Sequence, residues 1–520
     1  MSTVKRILRM AFAWLEAGLD RVFTPACNPL YHLGALGFLY YWVVAATGIY
    51  LFIFFDTGLT EAYGSIESIT YEQWYLGGVM RSLHRYASDG MVAMMMVHML
   101  REFSLDRYRG ARWFTWFTGL PIIWMVYAAG VSGYWLVWDM LAQYIAIATT
   151  EWLDWIPIIG GTIARNFLNP ERLDDRFFTL MVFMHIFVPL FLLFVLWIHL
   201  QRVTKPVINP PRMLAGGTLL MLMVLSLIKP AESQPPANLD IVPSQVGLDW
   251  FYLPAYPLMD ILGNGALWGI AAFSTLLFIV LPWLPPLRRT KQKAAVVDLG
   301  NCNGCTRCVE DCPYAAVEMR PRTDGGPFDR EAVVDPDLCV ACGICVGACP
   351  TAMPFRRASE LIPGIDLPES SVRDLRERVQ AAGQGLQGNA RIMMFGCEHS
   401  YDISRLAGPE VAAVRIPCIG MLPPAFIDYV LSRGLADGVM LSGCSEGECH
   451  HRHGVRWTGQ RLGRTRDPML RKRVPLERIE TVWAGPVEGW TRRRGIAEFA
   501  ARLRRLAADK PDAESGGAAE

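Results

Sequence analysis

Residues 81–101 read RSLHRYASDGMVAMMMVHMLR, and residues 185–199 read HIFVPLFLLFVLWIH. Each stretch carries two histidines 14 residues apart, His84 with His98 and His185 with His199. Fourteen residues advance an α-helix by nearly four turns, so the two imidazoles of a stretch share one face, about 21 Å apart along the axis. Both stretches are apolar enough to lie in a membrane, where an ionisable side chain is costly unless it is paired or functional. A single histidine there fits a satisfied core residue; four at a duplicated spacing point to ligands.

The surrounding sequence supplies the membrane. Apolar residues make up 52% of the 520-residue chain, and nearly all the long apolar runs precede residue 286. Ala35 to Phe55 is 21 residues without a charge, enough to cross about 30 Å of hydrocarbon. Further spans are expected at about 75–100, 113–138, 177–200, 213–228 and 262–284. Four arginines lie between Arg101 and Arg112, Arg202, Lys205 and Arg212 follow the fourth span, and Arg288, Arg289, Lys291 and Lys293 follow the sixth. The connection Asp56 to Gln73 has no Lys or Arg. This asymmetry predicts a multi-pass protein of the bacterial inner membrane, with both termini in the cytoplasm. Val4 to Phe23 is expected as an amphipathic surface helix, not a signal peptide. The net charge of +1 gives no footprint for nucleic acid.

The second and fourth spans run parallel, which pairs His84 with His185 on the periplasmic side and His98 with His199 on the cytoplasmic side. Each pair is set to clamp the iron of one haem b through both axial positions. Arg81 and Arg101 flank the ligands and are expected to neutralise haem propionates. Gly34 and Gly48, and Gly119 and Gly133, repeat the spacing of 14 residues, so a flat macrocycle could approach the backbone there. Residues 28 to about 284 resemble cytochrome b of the quinol–cytochrome c reductases. The resemblance rests on His32-Leu33-Gly34 to Thr47-Gly48, on Gly133-Tyr134-Trp135-Leu136-Val137-Trp138 and on Ile156-Pro157-Ile158-Ile159-Gly160. It implies the same four ligands, quinone sites at both membrane faces and a homodimer. That family's Pro-Glu-Trp-Tyr loop, whose carboxylate takes a quinol proton, has a counterpart in Leu248-Asp249-Trp250-Phe251, which makes Asp249 the candidate quinone-site acid. His32 is read as an interfacial or helix-capping residue.

Twelve of the thirteen cysteines follow residue 300, where a reducing compartment favours metal ligation over disulfides; Cys27 is a structural thiol. Cys302, Cys305, Cys308 and Cys312 precede Pro313, and Cys339, Cys342, Cys345 and Cys349 precede Pro350. In this bacterial ferredoxin spacing the fourth cysteine of each run serves the other cluster. One [4Fe–4S] cluster is therefore expected on Cys302, Cys305, Cys308 and Cys349, and another on Cys339, Cys342, Cys345 and Cys312. Beyond a polar linker, the apolar runs Arg391–Phe395, Val411–Ile416 and Gly438–Leu441 read as strands of a parallel α/β sheet. Its carboxyl ends would gather Cys397, Cys418, Cys444 and Cys449 for a [2Fe–2S] cluster, with zinc or catalytic thiols also open on spacing alone. Residues 391 to about 506 resemble the delta subunit of methyl-viologen-reducing hydrogenase, chiefly through Gly443-Cys444-Ser445-Glu446-Gly447-Glu448-Cys449-His450, and the resemblance implies the [2Fe–2S] centre. His450, His451 and His453 are read as a surface group. Gly383, Gly385 and Gly388 spell G-x-G-x-x-G, but after a helical stretch and before a strand, the wrong order for a dinucleotide site.

The expected architecture is thus multidomain: an all-α transmembrane haem-binding bundle (1–286), an α+β two-cluster ferredoxin domain (287–356), a linker (357–390), an α/β parallel-sheet iron–sulfur domain (391–506) and a disordered tail (507–520). The expected function is electron transfer from a cytoplasmic dehydrogenase, a flavoprotein by expectation, through the clusters and two haems to the quinone pool. Three other readings stay open: reverse flow from quinol, a hydrogenase, heterodisulfide-reductase or bifurcating partnership, and a haem-bearing scaffold without turnover.

Overall fold

The computed structural model describes residues 3–158, 174–201, 206–241, 245–249, 251–284, 293–357 and 361–508. Ile159, Gly160, Arg202, Lys205, Trp250, Arg288, Arg289 and Lys291, used in the sequence reading, lie outside the described residues, as does most of the expected tail. The chain divides into two compact units, one built mainly on residues 27–202 and 206–286 and the other mainly on residues 287–520.

In the first unit all six expected spans are helical: Leu33–Phe54, Val79–Ser104, Trp113–Val137, Asp175–Gln201, Arg212–Ile228 and Asn264–Val280. The first, third and fourth are long and apolar enough to cross a membrane. Val79–Ser104 matches them in length with 26 residues but carries charges and two histidines. The last two have 17 residues each, and the sixth stops short of the expected 284. Leu33–Phe54 packs against Val79–Ser104, and Trp113–Val137 against Asp175–Gln201, so each histidine-bearing helix has its own glycine-bearing neighbour. Phe183, Phe187, Phe191 and Phe194 stack in an exposed row on the fourth helix, an apolar surface suited to lipid.

Among the helices not read from the sequence is the one that follows the third span. Trp138 turns left-handed at φ 51°, and the Asp139 carboxylate then accepts from the Ala142 amide at 2.8 Å, starting a helix over Met140–Asp154. The second Asp139 oxygen accepts from the Gln234 amide at 2.9 Å, which anchors a distant loop to the same cap. The expected N-terminal helix is present at Thr3–Phe23.

Among the described residues, the second unit holds three sheets. β1 (Val296–Val297) pairs with β4 (Ile365–Asp366), and β2 (Val317–Pro321) with β3 (Arg330–Val334), both antiparallel. β5 (Ile392–Cys397), β6 (Val411–Ile416), β7 (Gly438–Gly443) and β8 (Ile479–Trp483) form a parallel sheet in the order β6-β5-β7-β8. Every residue of β5 and β7 is buried, as central parallel strands covered on both faces require. The first three strands match the expected runs; β8 is an addition.

The stretch expected as a linker is folded. It contains β4 and a helix over Val372–Gln384, whose Ser371 side chain caps the Asp374 amide at 3.0 Å. Val372, Leu375 and Val379 are fully buried on one face of that helix, and the charges that made the stretch look like a linker are spread over the rest. Gly383 lies in its last turn and Gly385 is its C-cap, in keeping with a helix stop.

The ferredoxin-like and sheet segments are joined by a buried ion cluster. Asp311 receives Arg461 at 2.5 Å and also pairs with Arg466, while Trp457 donates its indole N–H to the Asp311 carbonyl at 3.4 Å. Arg461 and Asp311 are almost wholly buried. Asp311→Ala would strand a buried cation, and we expect it to cost about 3–5 kcal/mol. Hydrogen exchange on the intact chain checks this: amides of Ile344–Ala348 and Gly454–Leu462 lose protection together.

Candidate functional site

The four glycines and four histidines meet one to one. A methyl group at Gly48 would lie 3.1 Å from His84 Cε1, at Gly133 2.8 Å from His185 Cε1, at Gly119 3.5 Å from His199 Cε1 and at Gly34 3.7 Å from His98 Cε1. The residue before three of these glycines is hydroxylic, and its oxygen meets the ring of the same histidine. Thr47 Oγ1 lies 3.2 Å from His84 Nδ1, Ser132 Oγ 3.3 Å from His185 Nδ1 and Thr118 Oγ1 3.1 Å from His199 Nδ1. Each hydroxyl gives its own proton to the carbonyl four residues back, so its oxygen accepts from the imidazole. The Val44 and Ala129 carbonyls add bonds of 3.0 and 2.9 Å to Nδ1 of His84 and His185.

A carbonyl can only accept, so the proton sits on Nδ1 and the Nε2 lone pair is left for a metal. The ring centres of His84 and His185 are 6.1 Å apart. Two imidazoles binding one iron from opposite sides, at about 2 Å per bond, need roughly that spacing. The residues present therefore fit an axially held haem. Arg81 is buried and bonded to Thr70 at 2.5 Å and Ser233 at 2.8 Å, with Glu67 at 3.7 Å. Arg101 is buried over the Tyr31 ring, 5.6 Å from its centre.

Asp249 is no isolated loop residue. Its carboxylate accepts from Arg85 at 2.6 Å and from the Tyr134 hydroxyl at 2.5 Å, and the Phe251 amide donates to it at 2.8 Å. Burial pushes its pKa up, but the Tyr134 and Arg85 partners outweigh that and hold the carboxyl below the usual range.

The cysteines fall into the three expected sets. Cys302, Cys305, Cys308 and Cys349 line one cavity. Burial first, then Cys305, Cys349 and Cys302, push the Cys308 thiol up to about 12. Cys345 is raised by burial and by Cys342, Cys312 and Cys339, its expected co-ligands. Cys397 ends β5, Cys444 directly follows β7, and the neighbouring Cys397 and Cys449, with burial, push the Cys418 thiol up. A methyl group at Gly454 would collide with Cys418 Sγ at 2.3 Å, so glycine lets that helix start against the sulfurs. Packed thiols without countercharge resist ionisation, and iron would supply the charge that lets them bind as thiolates. The donor sets suit [4Fe–4S], [4Fe–4S] and [2Fe–2S] groups.

Comparison with known proteins gives the same three parts in the same order. The cytochrome b/b6/petB family matches residues 19–206, the 4Fe-4S dicluster domain residues 301–353, and the methyl-viologen-reducing hydrogenase delta subunit residues 392–507. The chain is a fusion of these three modules. A solved chain described as hyperthermophilic respiratory Complex III is similar over 49% of this chain and 75% of its own length, at 20% identity and a TM-score of 0.42.

Two features of the fusion escaped the sequence. Arg492, fully buried in the Gly489–Ala508 helix, donates to Ser400, Ser442 and the carbonyls of Gly443, Ala484, Gly485 and Glu488. It thereby ties together the carboxyl ends of strands that carry Cys397 and Cys444. The histidines after Cys449 are not a surface group: His451 and His453 are buried, and His450 and His451 gather with His399, their ring nitrogens within 4.8 Å of one another. The fold of the 444–453 loop back onto the end of β5 makes this group, and no spacing in the sequence announces it.

Ser132→Ala and Thr118→Val each remove one acceptor from an imidazole expected to hold haem. Outer partners of this kind are worth about 10–100-fold in metal affinity, so haem occupancy of each variant is expected to fall, read as low-spin haem per protein.

Proposed function

We propose that the fusion is the membrane-embedded electron-transfer subunit of an oxidoreductase complex, carrying electrons between a cytoplasmic flavin dehydrogenase and the quinone pool. The single observation behind this reading is the fourfold pairing of histidine with glycine, with Nδ1 of three rings held by hydroxyl or carbonyl oxygens and Nε2 left for iron. In this reading His84 with His185 and His98 with His199 hold two haems b, and Arg81 and Arg101 meet their propionates. Cys302, Cys305, Cys308 and Cys349, then Cys312, Cys339, Cys342 and Cys345, hold two [4Fe–4S] clusters, and Cys397, Cys418, Cys444 and Cys449 hold a [2Fe–2S] cluster. These groups supply reversible one-electron chemistry; the protein supplies ligands, burial and spacing.

The basic connections assign both termini and the iron–sulfur modules to the cytoplasm of a bacterial inner membrane. A homodimer through the cytochrome b module follows from resemblance. Asp249 takes the role of an ionised acceptor for a quinol hydroxyl, because Arg85 and Tyr134 hold its charge. The delta-subunit match favours a second reading, in which the donor is a hydrogenase-type partner. Purification from the native membrane decides between donors: a flavoprotein or a nickel protein selects one.

The main test is anaerobic. Dithionite-reduced protein in detergent is mixed with a soluble quinone, and the haem band is expected to reoxidise, with His98→Leu and His199→Leu abolishing the signal of one centre. Retention of reduced haem in excess quinone would favour the scaffold reading. The pH dependence of turnover gives a second check. A carboxyl held below its ordinary value of about 3.9 keeps its charge at every higher pH, and its ion pair is lost only as pH falls through the depressed value. Asp249 should therefore add no limb to the turnover profile between about pH 5 and 8, and Asp249→Asn should slow turnover across that whole range.

A further inference from the structure

The three cysteine sets could be joined in several orders, and the contacts between the ferredoxin-like segment and the parallel-sheet segment select one. The middle run of cysteines faces the sheet module. Cys342 and Ile344 form one buried cluster with Cys418 and Trp457. A methyl group at Gly347 would lie 2.0 Å from the Gly420 carbonyl oxygen, so two backbones touch between the Ile344–Ala348 helix and the turn that follows Cys418. Arg461 donates to that same Gly420 carbonyl at 2.9 Å while pairing with Asp311, the neighbour of Cys312. Tyr314, two residues beyond Cys312, meets His451 Nδ1 at 2.9 Å, two residues beyond Cys449. On its other side the Ile344–Ala348 helix, which carries Cys345, packs against Arg307–Asp311, which carries Cys308.

The remaining set is arranged differently. The cavity lined by Cys302, Cys305, Cys308 and Cys349 is walled by residues 301–306, 308, 319, 332, 349–351, 364 and 365, with no residue of the parallel sheet among them. Cys305 is exposed, whereas Cys342 and Cys345 are buried.

We propose that the three sets stand in single file. Cys312, Cys339, Cys342 and Cys345 occupy the middle, Cys397, Cys418, Cys444 and Cys449 one end, and Cys302, Cys305, Cys308 and Cys349 the other. This rests on the cluster assignments given under Proposed function. Exchange along the file is one electron at a time, each set losing one as its neighbour gains one, with no proton moved and no bond made or broken. The middle set is then the obligatory junction. The buried ion cluster at Asp311 is what holds the junction closed.

The test is paramagnetic resonance of the full-length protein reduced by dithionite. In the wild type the [2Fe–2S] signal is expected to be broadened and fast-relaxing through its neighbour. Cys339→Ser, which disables the middle set, should remove that broadening, and Cys305→Ser, at the exposed end, should leave it. The reverse pattern, or a [2Fe–2S] signal indifferent to both changes, would overturn the file. Iron and acid-labile sulfide separate this from its premise: wild-type protein without sulfide would overturn the cluster assignments themselves, whereas sulfide present with the wrong coupling pattern overturns only the order. Zinc at the sheet module would likewise count against the premise.

Discussion

The structure of the membrane module depends on how an imidazole is satisfied where water is absent. A neutral ring has one donor and one acceptor, and in a low-dielectric interior a donor without a partner is expensive. In this chain the donor is met by oxygens of the neighbouring helix, Val44 with Thr47, Ala129 with Ser132, and Thr118, which leaves the acceptor nitrogen for a metal. The glycine beside each hydroxyl removes the side chain that would otherwise occupy the same space. Thus the pairs Thr47-Gly48, Thr118-Gly119 and Ser132-Gly133 act as small units, one residue orienting the ring and the next admitting it. Their repetition explains why two helix pairs with different sequences build equivalent sites.

The soluble unit solves a related problem with charge. Twelve thiols are brought into three closely packed sets, most of them buried, and burial pushes Cys308 and Cys345 up. Around them the chain places buried cations: Arg461 against Asp311, and Arg492 against the carbonyls at the end of the sheet. A buried arginine is costly unless its donors are met, and both have several acceptors within bonding distance. These residues hold backbone segments in register around the sulfurs. The same logic joins the ferredoxin-like and delta-like modules, whose junction is built from an ion cluster, a tryptophan and a contact between glycines.

Local patterns made much of this legible. The intervals of 14 residues, the apolar runs and the two C-x-x-C-x-x-C-x-x-x-C-P strings each depend on helix pitch or ligand reach over a short stretch of chain, and the six helices and the grouping of the cysteines agree with them; that each of the four glycines meets a histidine ring was not read from the sequence. Thr47, Thr118 and Ser132 could have been read too, because a hydroxyl before glycine recurs at three of the four positions. Composition misled at residues 357–390, where a charged amphipathic helix with a narrow buried face resembles a linker. It also missed the helix at Met140–Asp154, whose start depends on the left-handed turn at Trp138.

What the sequence alone determined is the set of candidate ligands and the elements that carry them, since these follow from periodicity and spacing within single segments. Tertiary structure alone decided their partners. Asp249 meets Arg85 and Tyr134 across 164 and 115 residues of chain, Asp311 meets Arg461 across 150, and His399 meets His450 and His451 from the far end of a different strand. Such contacts arise when separate elements pack, and a side chain's charge, tautomer and reach are set by whatever the packing places beside it. Helix pitch acts over a few residues and can be read along a line; the company a buried group keeps is a property of three dimensions.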